Sequence, residues 1–174
     1  MNNPITSFIL VVITLILAIS VFTLASFYLG AQAVNAGIAR EAENTASGFY
    51  IQRTPSVIVS GNKSIGVSLT NFNYNGTIYL TAFYFEPSFY GNPSISPQLA
   101  IGYSLVNGTP GNTAYGKFYS TSLSNEIYQG NVRIWASSAN SIFNVSFPSQ
   151  YDGVVLLFQK FGNKYVEVGY VWLS

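Results

Sequence analysis

The sequence predicts an α+β chain in two parts: a long hydrophobic N-terminal α-helix over residues 1–48, then an all-β antiparallel sandwich head over 49–174. Three observations carry this. No charged residue precedes Arg40, and Phe8 to Leu29 is almost unbrokenly apolar. Past Tyr50 the hydrophobic period falls from 3.6 to 2. Gly, Pro, Asn and Ser then punctuate the chain at intervals of about ten residues, the spacing of short strands joined by turns.

The helix has a clear beginning. Asn3 is placed to cap it, and Pro4 sits at the first helical position, where a missing N–H and a fixed φ cost nothing. About 20 apolar residues cross roughly 30 Å of hydrocarbon, so this segment can span a bilayer and continue beyond it. After Leu29 the composition turns small, and Ser26/Gly30 and Ala33/Gly37 are four-residue small pairs of the kind that let helix backbones approach closely. Gly30 and Gly37 each lower helix propensity by up to about 1 kcal/mol relative to Ala, which makes a local melt or kink plausible there. Arg40, Glu41 and Glu43 mark emergence into water, and the helix is expected to fade between Thr45 and Tyr50, ahead of Pro55.

Three readings compete for this segment. Ala31-Gln32-Ala33 resembles a signal-peptide cleavage site, but no basic residue precedes the apolar core and that core is too long for a signal. A single-pass anchor is the plainest alternative. The preferred reading is a helix that sits in the membrane before assembly and in a filament core afterwards. Pro4, Phe8, Leu15, Phe22, Ser26, Gly30, Ala33 and Gly37 are then the candidate assembly residues.

In the head, candidate strands are Ser56–Ser60, Ser64–Thr70, Thr77–Glu86, Gln98–Leu105, Ala114–Ser120, Asn131–Ser137, Ile142–Phe147, Gly153–Lys160 and Lys164–Leu173. Ile65, Val67 and Leu69 alternate with small polar residues, as do Phe143, Val145 and Phe147, so each of these strands has one dry side. Ile78 to Phe85 and Val154 to Phe158 are apolar on both sides, as expected of central strands covered from two directions. Gly162-Asn163 reads as a hairpin turn. The last strand is expected to set Val166, Val168, Tyr170 and Trp172 on one face, and Pro87–Pro97 is the clearest loop. Seven to nine such strands suit an immunoglobulin-like (Ig-like) sandwich.

Only 7% of residues are charged, against about 25% in an ordinary soluble domain. Seven basic and six acidic residues offer no stripe for a run of phosphates, so nucleic acid is not expected as a main partner. There is no Cys and no His, which removes disulfides, thiolates, the commonest general base and His or Cys metal sites together. The carboxylates are scattered, with no paired acid and base and no calcium-loop pattern. Neither catalysis nor a bound metal or cofactor is expected.

One motif recurs: Asn62-Lys-Ser, Asn75-Gly-Thr, Asn107-Gly-Thr and Asn144-Val-Ser are candidate acceptors for N-linked glycans. The plainer reading is that they are turn and edge residues. Tyr84, Tyr90, Tyr103, Tyr115 and Tyr119 are expected to face outward, where Tyr offers apolar area with a polar tip for subunit or surface contacts. With few groups to titrate, the surface should tolerate acid.

Asn3-Pro4-Ile5, the uncharged Phe8–Leu29 helix, its small-residue continuation to Ala39 and a β-rich head with several sequons together resemble the archaeal type IV pilin and archaellin superfamily. Ile5 stands where bacterial members carry Glu, as it does in archaeal members. The family's precursors have a short basic leader, and none is visible here. The resemblance implies the major subunit of an adhesive pilus, working in attachment, aggregation or surface motility. It also implies membrane insertion before assembly, partners in the pilus assembly machinery and in copies of the chain, cell or abiotic surfaces as targets, and an extracellular filament as the destination. An archaellin-type motility filament is the nearest alternative. A membrane-anchored β-sandwich module binding a sugar or peptide is the alternative from another class.

Overall fold

The computed structural model describes residues 3–92, 96–121, 123 and 125–174. Among the described residues one α-helix, α1 (Pro4–Ser47), is followed by eleven strands. The Asn3 carboxamide oxygen accepts the Ile5 N–H at 3.2 Å, and its carbonyl accepts from Thr6 and Ser7, so the expected cap is formed. The helix runs unbroken through Gly30 and Gly37 with no melt, because neither glycine needs a special backbone conformation there. It ends at Ser47, within the expected window.

The chain divides into two compact units, residues 1–38 and 39–174. The last turns of α1 thus belong to the head, where Ala42 and Thr45 are buried. Asn71 holds this end: its side-chain NH2 donates to the Thr45 carbonyl at 2.8 Å, and its Oδ1 accepts the Asn73 and Tyr74 N–H groups at 2.8 Å each. The Thr45 carbonyl at the helix terminus, which also accepts the Gly48 N–H at 3.2 Å, thereby gains a second donor. Gln159 donates to the Glu41 carboxylate at 3.1 Å from the other side.

The strands are β1 (Phe49–Arg53), β2 (Val57–Val59), β3 (Asn62–Asn71), β4 (Thr77–Phe85), β5 (Gly102–Tyr103), β6 (Leu105–Val106), β7 (Asn112–Tyr119), β8 (Glu126–Ser138), β9 (Ser141–Pro148), β10 (Asp152–Phe161) and β11 (Lys164–Leu173). The smaller sheet runs β1-β3-β9-β6, with β2 continuing along the β3 edge that β1 leaves. In the larger sheet β4 pairs with β8 and with β10, so β4-β10-β11-β7-β8 closes on itself, and β5 adds to β4. All pairings are antiparallel except β11 with β7. The head is all-β as expected, but one sheet forms a barrel, not the pair of open sheets that an immunoglobulin-like sandwich requires.

Closure explains the doubly apolar strands. Phe83, Phe85, Val154, Leu156 and Phe158 fill the barrel together with Phe118, Val132 and Tyr165. Phe118 stacks on Tyr165 at 4.8 Å and meets Phe158 edge-on at 5.1 Å. Ile78, Leu80, Ala82, Val155 and Leu157 are buried on the opposite faces of β4 and β10, and Ile65, Val67, Leu69, Phe143, Val145 and Phe147 are the buried positions of the smaller sheet. Gly153 of β10 lies under the Phe147 ring, so the two sheets pack directly.

Three expectations are corrected. Gln98–Leu105 is no single strand: a 3-10 turn over Pro97–Leu99 leads into β5, and the chain then leaves the barrel for the smaller sheet as β6, with Ser104 buried at the crossing. Strand β1 was not expected, since Phe49–Arg53 follows the helix with no turn residue but Gly48. In β11 a register shift leaves Val168 unpaired opposite Leu157/Phe158. Val166 therefore shares a face with Gln159, whereas Tyr170 and Trp172 share one with Leu156 and Val154. The extra residue of a bulge reverses alternation beyond it. The Gly162-Asn163 turn is as expected, with Phe161 paired to Lys164. Within the expected 87–97 loop, Pro87–Phe89 is a 3-10 turn and residues 93–95 lie outside those described.

Candidate functional site

Two features stand out among the described residues: the exposed apolar helix and a cavity in the head. Along α1, Phe8, Phe22, Leu24 and Phe27 are 70%, 73%, 72% and 83% exposed, and Leu15 is 57% exposed. Together with Leu10, Val11 and Val21, which are also exposed, these positions cover every side of the helix, so it is not the amphipathic kind that lays one stripe on its own domain. Pro4, Ser26 and Ala33 are exposed, and a methyl group added at Gly30 or Gly37 would meet open space. None of the eight candidate assembly residues is buried among the described residues. The hydroxyls of Thr14, Ser20 and Thr23 donate to the carbonyls of Leu10, Ile16 and Ile19, each at 2.8 Å. Bonded to their own helix, they do not oppose an apolar environment.

All four sequon asparagines are exposed. Asn62 opens β3. Asn75 accepts from the Asn140 side chain at 3.0 Å. Asn107, at positive φ, accepts the Asn144 N–H through its Oδ1 at 2.9 Å and donates its own N–H to the Asn144 carbonyl at 2.8 Å, so these two sequons are neighbours that sequence spacing did not suggest.

Of the five tyrosines expected outside, Tyr90 and Tyr115 are exposed. Tyr84 instead stacks on Tyr151 at 5.3 Å, Tyr103 is partly buried beneath Arg133, and Tyr119 is partly buried beside Lys164. The aromatic rings of a barrel wall find neighbours that alternation alone does not reveal. Exposed apolar residues that were not anticipated include Val57, Ile58, Val59, Phe72 and Ile142.

The cavity has a volume of about 340 Å³ and lies against β11, the start of β8 and the loops after β4 and β7. Glu167, Tyr170, Trp172, Glu126, Asn92 and Asn125 supply its chemistry. The bulge at Val168 turns Tyr170 and Trp172 toward this side, with their rings 6.3 Å apart at 78°. Arg53 donates to the Trp172 carbonyl at 2.8 Å and steadies the end of β11. Burial pushes the Glu167 carboxyl up to about 7, and Glu167 makes no hydrogen bond or ion pair among the described residues. No Lys or Arg is among the described residues lining the cavity. No group of three carboxylates that could hold a metal occurs among the described residues.

No family model, curated protein or solved structure matches the chain.

Proposed function

We propose that the chain is the structural subunit of an extracellular filament of the archaeal type IV pilin kind, polymerising through α1. The observation that carries this is the uncharged helix segment from Pro4 to Gly37, apolar on all sides and exposed throughout. At about 1.5 Å per residue this segment is roughly 50 Å long, while a bilayer core is about 30 Å thick. A lone anchor would leave the excess in water; a bundle of identical helices covers all of it. Close approach in such a bundle uses the bare backbone at Gly30 and Gly37, and no backbone polar group is unsatisfied on transfer from lipid. The heads then form the outer surface and carry N-linked glycans on at least one of Asn62, Asn75, Asn107 and Asn144. Attachment, aggregation or surface motility is the expected work of the polymer.

Electron microscopy of native material decides the matter. A helical polymer with residues 4–38 packed against copies of themselves is the expected result. A monodisperse chain whose helix stays in lipid would overturn it.

A further inference from the structure

We propose that the cavity beside β11 is a binding site for a neutral saccharide, a mono- or disaccharide unit, with Trp172 and Tyr170 as the apolar platform and Glu167 as the principal hydrogen-bonding group. Its volume of about 340 Å³ falls at the lower end of the roughly 300–1,000 Å³ of small-molecule pockets. Its lining mixes two aromatic rings with carboxylates, carboxamides and the hydroxyls of Ser96 and Ser120. A sugar ring presents this complement: a C–H face that packs on an aromatic ring, and an edge of hydroxyls that both donate and accept.

The charges narrow the class. Glu126, and Glu167 above about pH 7, put negative charge on the cavity and no described basic residue lines it, so phosphate, sulfate and acidic sugars are repelled. A simple ammonium would suit the carboxylates and rings, but it has no acceptor with which to use the side-chain NH2 of Asn125; a hydroxyl does. Glu167 is the oddest group in the head. Its carboxyl is partly buried in the cavity wall and has no hydrogen-bond or ion-pair partner among the described residues, which leaves it open to a ligand's hydroxyl. The indole N–H of Trp172 likewise makes no hydrogen bond among the described residues. Both are satisfied by a ligand with hydroxyl groups.

Polymerisation is not required for this site, so loss of binding and loss of filament are separate results. The test is saturation-transfer NMR on the full-length chain, as filaments or in detergent, with maltose, mannobiose and chitobiose as probes. Glucuronic acid and tetramethylammonium serve as the charged comparisons. Saturable binding of at least one neutral disaccharide is expected, with none of glucuronic acid. Glu167→Gln, which keeps the shape, and Trp172→Phe should each weaken it at least about tenfold, roughly 1.4 kcal/mol, with unchanged circular dichroism. The proposal fails if no neutral saccharide binds up to about 10 mM, tenfold above a millimolar Kd. It fails equally if both folded variants bind as tightly as the parent, or if tetramethylammonium alone is bound.

Discussion

Asn71 shows how much can rest on a single carboxamide. It is buried, and it satisfies the Thr45 carbonyl and two backbone N–H groups at once. Asn71→Ala strands the Asn73 and Tyr74 N–H groups and takes one of two donors from the Thr45 carbonyl, which keeps the Gly48 N–H, so a loss of about 1–3 kcal/mol is expected in denaturant unfolding of the head. Asn71→Asp should be at least as damaging, because it sets an oxygen against the Thr45 carbonyl where an NH2 now donates. Glu167 gives the opposite kind of prediction. Its folded pKa of about 7 lies above the ordinary 4.5, so the native state holds the proton more tightly than the unfolded chain. The associated stability is fully present below about pH 4.5 and is lost as pH rises through about 7. At most about 3 kcal/mol is at stake. Thermal melts should therefore show a head more stable at pH 4.5 than at pH 8, and Glu167→Gln should flatten that dependence. A parent chain that gains stability between those values would refute the assignment.

At the scale of elements, β7 and β11 are held together by the stack of Phe118 on Tyr165, and Gly116 makes room for it. A Cβ at Gly116 would lie 2.7 Å from the Tyr165 ring, which is buried and cannot swing away. Gly116→Ala is expected to destabilise the head by about 1–3 kcal/mol, the usual range for overpacking, with a changed near-ultraviolet tyrosine signal as its mark. Many elements could be read in advance. Alternation placed Ile65, Val67 and Leu69 and Phe143, Val145 and Phe147 on buried faces, and the doubly apolar strands are the ones covered from both sides. Strands β1, β5 and β6 were not legible, since each is defined by its partner: β1 by the β3 edge, β5 and β6 by two different sheets. The bulge at Val168 was hidden for a related reason. Val166, Val168, Tyr170 and Trp172 alternate without fault in sequence, and only pairing with β10 shows the shift that splits them.

For the molecule as a whole, the helix segment up to residue 38 and the head from residue 39 are separate compact units, and the proposed assembly rests on the first. Phe22→Asp or Ala33→Arg should therefore abolish filaments in micrographs while the head keeps its β-sheet circular dichroism, because a charge in a helix bundle has no water and no partner. Filaments formed at parental yield by both variants would count against assembly through this surface. The exposed apolar run of α1, on which the candidate assembly residues lie, was legible because a run without charge is a local property that no tertiary contact changes. The cavity was not. Glu126 and Glu167 stand far apart in the chain, and Trp172 was assigned to the same face as Val166.

By itself the sequence determined the long apolar helix, its cap at Asn3, its end near Ser47, the alternating strands and the scarcity of charge. These follow from short-range rules: propensity, periodicity and the energetics of burying one face. Only the tertiary structure decided that β4 meets β10 and closes a barrel, that β11 runs parallel to β7, and that one unpaired valine turns two aromatic rings toward two carboxylates. Such pairings join residues dozens of positions apart, and their energies depend on which surfaces meet, which no local pattern encodes.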